Sequence, residues 1–109
     1  MKIVNLTTHK IVVRLPDGDR VFEPSGQVVR CVAEAVSDGN ADGIPIMLSF
    51  FGALNDLPAP QDGVLYLCST PAAQKASQMG RTDVVAPDTG PTAIRVDGQI
   101  VAVTRFQRF

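Results

Sequence analysis

The sequence predicts a mostly-β domain, a small antiparallel barrel or sandwich with one short helix near residues 71–79, and an α+β arrangement as the alternative. Three observations carry this. Short β-favouring runs recur with turn residues between them about every 8 to 12 positions. Only the stretch from Thr70 to Gly80 has the punctuation of a helix. The 109 residues, 45% apolar and 19% charged, suffice for one core but not two, so a single domain over residues 1–109 is expected.

The first runs, Lys2 to Leu6 and Lys10 to Leu15, are separated by the polar Thr7-Thr8-His9. Pro16-Asp17-Gly18-Asp19 then turns the chain into Arg20 to Glu23 as a hairpin. Pro24-Ser25-Gly26 precedes a strand over Gln27 to Val36, where Val29, Cys31, Ala33 and Ala35 make one apolar face. Ser37 to Gly43 is rich in small polar residues and reads as a flexible surface loop. Ile44 to Phe51 is almost wholly apolar, with Pro45 placing it at a strand start or a sheet edge. Gly52 to Gly63 reads as an irregular connection anchored by Leu54 and Leu57, and Val64 to Cys68 as a buried central strand.

Thr70 as N-cap, Pro71 at the first helical position, good helix formers from Ala72 to Met79 and Gly80 at the end define the helix. Beyond it lie a brief strand over Asp83 to Ala86, the rigid turn Pro87 to Pro91, and the Asp97-Gly98 dipeptide. That dipeptide sits between Ala93–Val96 and Gln99–Val103, a strong hairpin signal.

Composition narrows function by exclusion. Lys and Arg total 10 and Asp and Glu 11, a net charge of -1, which removes the broad positive field of a non-specific nucleic-acid binder. Five Phe, one Tyr and no Trp are too few for a base-stacking platform, so nucleic acid is not expected as a partner. No apolar run approaches the ~20 residues of a membrane span, and the opening residues lack a secretory leader, so a cytoplasmic location is expected. Cys31 and Cys68 lie in apolar stretches without metal-ligand spacing and read as buried free thiols. His9 is the only histidine, and no nucleophile-elbow, zinc-protease, dinucleotide or Walker motif occurs, so no cofactor is expected.

The candidate ligand contacts are Asn5, Thr7 and His9, polar side chains clustered in the first turn, together with Arg81 and Asp83 beyond the helix. An arginine fork there would pair with phosphate while Asn, Thr and His bond a base or ribose. The plainer alternatives are that Asn5 and the threonines close the turn, His9 is solvated and Arg81 fixes its loop to Asp83. At the chain end, Arg105, Phe106, Arg108 and Phe109 are candidate partner contacts, unless Phe106 docks on the core.

Asn5-Leu6-Thr7-Thr8-His9, Pro24-Ser25-Gly26, Leu57-Pro58-Ala59-Pro60 running into Gly63-Val64-Leu65-Tyr66, and Arg81-Thr82-Asp83 together resemble a family of small uncharacterised phage and bacterial proteins that open Asn-Leu-Thr-Pro-His. Thr8 stands where that family usually has proline. The resemblance implies a phage or mobile-element setting and no particular chemistry. The reading that follows is a non-enzymatic binding protein that blocks a host defence protein or sequesters a small anionic ligand such as a nucleotide. The alternatives are a small hydrolase or isomerase with His9 as general base, and a virion assembly component. Short strands with few lysines to blunt their edges make a homo-oligomer an expectation under each.

Overall fold

The structure is a computed structural model describing the backbone of residues 1–109 and every side chain except that of Phe51. The protein is mostly β with one short helix, as the residue pattern implies, but its sheets form no closed barrel. The central sheet has the order β1 (Lys2–Asn5), β6 (Val64–Leu67), β7 (Val84–Pro87), β10 (Phe106–Gln107). Here the antiparallel expectation is corrected. β1 pairs with β6, and β6 with β7, in parallel, and only β10 runs antiparallel to β7. The helix α1 (Thr70–Gln78) links β6 to β7, as a parallel pair requires a crossover.

Parallel strands need cover on both faces, and these are apolar on both. Along β6, Val64 and Tyr66, followed by Cys68, pack with Ala72, Ala73 and Ala76 of α1, while Leu65 and Leu67 point the other way. β7 repeats the alternation, with Val84 and Ala86 toward the helix and Val85 away from it. The far face is covered by the hairpin of β2 (Ile11–Leu15) and β3 (Gly18–Phe22), through Ile11 and Val13, and by Val103 after β9. β9 (Gln99–Ala102) pairs with β8 (Ile94–Val96) across Asp97-Gly98, both at positive φ, the primed hairpin turn their identities call for.

The helix ends differ from expectation by one residue. Ser69 is the N-cap, and its side chain makes no capping bond. At the other end Gly80 sits at φ 87°, with Gly80 N–H bonded to the Ser77 carbonyl and Arg81 N–H to the Ala76 carbonyl. That is the Schellman closure, which delivers Arg81 back along the helix.

The largest departure is the hairpin of β4 (Arg30–Ala41) and β5 (Ile44–Asn55), 12 residues each. Ser37 to Ala41, expected as loop, continues the strand, and the turn is made by Asp42-Gly43, again both at positive φ. Gly52 to Asn55 likewise belongs to β5 and not to the connection. Among the described residues, this hairpin meets the core at its root, through Cys31 and Leu54. The rest projects, giving extents of 57 × 38 × 22 Å and a radius of gyration of 16.6 Å, where a compact chain of this length has about 13 Å.

Truncating the strand buried on both faces should hurt most. Leu67, fully buried, is expected to lose about 3 kcal/mol as Leu67→Ala, whereas Ser37→Ala on the projecting hairpin should change stability by less than about 0.5 kcal/mol. Urea denaturation of the two variants checks this.

Candidate functional site

Because β1, β6 and β7 are parallel, their C-terminal ends share one edge, where crevices form in open sheets of this kind. Three chain segments leave that edge together: Leu6 to His9 after β1, Cys68 to Thr70 between β6 and α1, and Pro87 to Thr89 at the end of β7. With Val28 to Cys31 at the root of β4 they enclose a cleft of about 440 Å³, within the usual range for small-ligand sites. A second lobe of about 360 Å³ continues from it past His9, Ile11, Pro87 and Thr89 to Lys10 and the β9 segment Ile100 to Val103.

The lining has a consistent chemistry. Its floor is apolar, from Leu6, Ile11, Val29, Cys31 and Cys68. Its polar residues are Thr7, Thr8, His9, Arg30, Ser69, Thr70 and Thr89 and, in the second lobe, Lys10. Among the described residues no Asp or Glu lines either lobe, in a chain that carries 11 of them. Ser69 and Thr70 begin α1, so the positive end of the helix dipole adds to the field there.

The first turn is held from within. Asn5 is 2% exposed, and its Nδ2 donates to the carbonyls of His9 at 2.9 Å and Phe22 at 2.8 Å. Its Oδ1 accepts from the Thr7 backbone N–H at 2.9 Å and lies 2.7 Å from the Thr7 hydroxyl, which is also 2.9 Å from the His9 carbonyl. Every hydrogen-bonding position of the Asn5 amide is thus occupied, and its role is to shape the turn that places Thr8 and His9 at the rim. His9 is exposed, with its Nδ1 3.5 Å from the Thr8 hydroxyl.

Arg81 and Asp83 are not brought to the cleft. They precede β7, whereas the cleft opens at its far end. Arg81 makes a two-pronged pair with Asp83, Nε to Oδ1 at 2.8 Å and Nη2 to Oδ2 at 2.9 Å, and Nη2 also donates to the Pro58 carbonyl at 2.9 Å. These bonds hold the Asp83 carboxyl below its usual range and raise Arg81. The pair ties the helix exit to the loop before β6.

In the tail, Phe106 docks: its ring lies 5.8 Å from that of Phe22 at 60° and joins the far-side core. Arg105 Nε donates to Asp88 Oδ2 at 2.7 Å, which lowers the Asp88 carboxyl, and the other Asp88 oxygen accepts from Gly90 N–H. Phe109 accepts from the Ser77 hydroxyl through its carbonyl oxygen, while Arg108 and Phe109 remain exposed.

The expectation of two buried thiols is corrected for Cys31, which is half-buried. Cys68 is buried, and desolvation pushes its thiol up to about 11, so it stays protonated and unreactive at neutral pH. Residue-by-residue reading did not single out Arg30, Ser69 or Thr89, and took Thr70 as a helix cap alone. The available signal was Ser69-Thr70-Pro71 at the end of a buried strand, the mark of a strand-to-helix turn facing a crevice.

No family model matches the chain, and neither a curated protein nor a solved structure matches it.

Two outcomes follow from these bonds. Asn5→Ala strips partners from buried groups of the first turn and is expected to cost about 3 kcal/mol in chemical denaturation. Asp83 titrates lower in the folded chain than unfolded, so its contribution is present at pH 7 and fades as pH falls below about 4. The stability gap between wild type and Asp83→Asn, measured by urea titration at several pH values, should therefore narrow in acid.

Proposed function

We propose that the protein binds a small anionic ligand, a nucleotide or a similar phosphate-bearing molecule, in the two-lobed cleft and acts by withholding it. The observation that carries this reading is the lining itself: residues that bear hydroxyls, an imidazole, a guanidinium and an ammonium around an apolar floor, with no Asp or Glu among the described lining residues. In a chain of net charge -1 this is a local reversal of sign, and it favours anions where the open cleft still admits them.

The arginines sharpen the assignment. Arg14, Arg81 and Arg105 are paired with Asp19, Asp83 and Asp88, Arg95 donates to the carbonyls of Thr89 and Gly90, and Arg20 lies over the Phe22 ring. Arg30 has no such partner among the described residues and lines the cleft, so its fork is free for a phosphate. Thr70, Ser69 and the start of α1 offer further donors to the same group. The apolar floor suits the flat face of a base, and His9 and Thr89 stand where the lobes meet.

Binding is favoured over chemistry at His9 because a general base is ordinarily oriented by a carboxylate, and its recorded side-chain partner is the Thr8 hydroxyl. The resemblance to the Asn-Leu-Thr-Pro-His family supports a phage or mobile-element setting, in which withholding a host nucleotide is a coherent role.

Thermal melting against mono-, cyclic and dinucleotides and inorganic phosphate tests the proposal. At about 100 times its dissociation constant a ligand adds ~2.7 kcal/mol, which raises Tm by roughly 10 °C or more. Arg30→Ala should abolish that rise while leaving the unliganded Tm unchanged, since Arg30 is exposed. No shift with any of these compounds overturns the proposal.

A further inference from the structure

The β4–β5 hairpin is unlike the rest of the molecule. Its register sets Val36 opposite Leu48 and Glu34 opposite Phe50, so these four share one face. Alternation along β5 adds Ile44 and Ile46 to that face, and alternation along β4 adds Val32. Val32, Val36, Ile44, Ile46, Leu48 and Phe50 are 40–67% exposed. The opposite face carries Ala33, Ala35, Ser37, Ser49 and Met47. The first face therefore carries a run of large branched and aromatic residues, while the residues just named on the opposite face are small apart from Met47.

Such an element does not stand alone comfortably. An isolated two-stranded hairpin is marginal in water, and both of its edges here are unpaired. Six large side chains at this exposure present on the order of 500 Å² of apolar surface, the upper end of what a monomer shows. A standard interface removes ~800 Å² per partner. Two copies packed on this stripe would together remove about 1,000 Å² of surface, the least that a specific interface needs.

We infer that this face is the interface of a homodimer, in which the β4–β5 hairpins of two copies pack face to face about a two-fold axis. An isologous contact needs a self-complementary patch, and a continuous apolar stripe is one. Alternation along β4 places Arg30 and Glu34 on this face near the root, where the Glu34 carboxyl lies over Gly52, and Asp38 beside the register shift that follows Ser37. Net charge -1 offers no repulsion between copies. Two ribbons stacked in this way are a two-layer sheet packing, spaced by the usual ~10 Å. At its root Phe50 already borders α1 beside Gln74 and Gln78, so the stripe runs outward from the body without a gap. The inference is independent of the ligand proposed for the cleft.

Sedimentation velocity and light scattering of the purified full chain over a concentration series test it. The wild type is expected at twice the chain mass. Leu48→Asp in the middle of the stripe should weaken association at least about tenfold. Met47→Asp on the opposite face should leave it intact. Both variants should keep the wild-type circular dichroism, because neither residue reaches the core, and Met47→Asp should also keep the wild-type melting temperature, whereas Leu48→Asp should lose the part of it that association supplies. A wild type that stays monomeric up to about 1 mM overturns the inference, and in that case the stripe serves a different protein. A Leu48→Asp chain that folds and still dimerises overturns it equally, since another surface then makes the contact.

Discussion

The constraint on which the structure depends is that β6 must be buried on both faces. Leu65 and Leu67 point one way and Val64, Tyr66 and Cys68 the other, so neither side of the sheet tolerates water. α1 and the root of β4–β5 satisfy one face, the β2–β3 hairpin and Val103 the other. That same requirement selects parallel neighbours. A short helix leaving β6 at one edge and returning the chain to the opposite edge covers the face and feeds β7 alongside in one step. Parallel pairing in turn gathers the exits of β1, β6 and β7 at a single edge. An antiparallel sandwich would have divided Thr7, Thr70 and Thr89 between two ends of the molecule.

How much of this was legible depends on the range of the cause. Helix punctuation, the buried run Val64 to Leu67 and the Asp97-Gly98 hairpin are set by neighbouring residues, and each can be read from a window of about ten. Strand direction is not local. The hairpin signals of the first and last thirds suggested antiparallel pairing throughout, although the succession of apolar run, nine-residue helix and apolar run over Val64 to Pro87 is itself a β-α-β pattern. Asp42-Gly43 shows the opposite failure. It is the same dipeptide as Asp97-Gly98 and makes the same turn, yet the small polar residues before it masked the signal. In β4 the apolar face was sought on the Val29 and Cys31 side. Pairing with β5 makes the Val32 and Val36 side the larger apolar surface, and no single strand reveals its partner.

The candidate site divides along the same line. Asn5 and Thr7 were visible as a polar cluster because they are adjacent, and adjacency is also why they satisfy one another and the turn backbone. Arg81 and Asp83 were visible for the same reason, and two residues of spacing let them close on each other. Polar groups that stand out locally tend to be spent locally. Arg30 stood out in no window, because its setting is made by distant stretches of the chain, Leu6 to Ile11 on one side and Cys68 to Thr89 on the other.

That division separates what stabilises the fold from what is free to bind. The Asn5 knot is buried and saturated, and among the described residues no buried side-chain nitrogen or oxygen lacks a partner. Binding capacity therefore resides in groups that folding left exposed: the Arg30 fork, the Thr8 and Thr89 hydroxyls, the His9 ring and Lys10. These groups can still be desolvated by a ligand with a compensating charge, whereas the buried groups have already exchanged water for protein. The cleft is thus a surface whose rigidity is supplied from beneath, by an Asn5 amide that has no donor left to offer. Such preorganisation lowers the entropic cost of holding a ligand without spending the groups that recognise it.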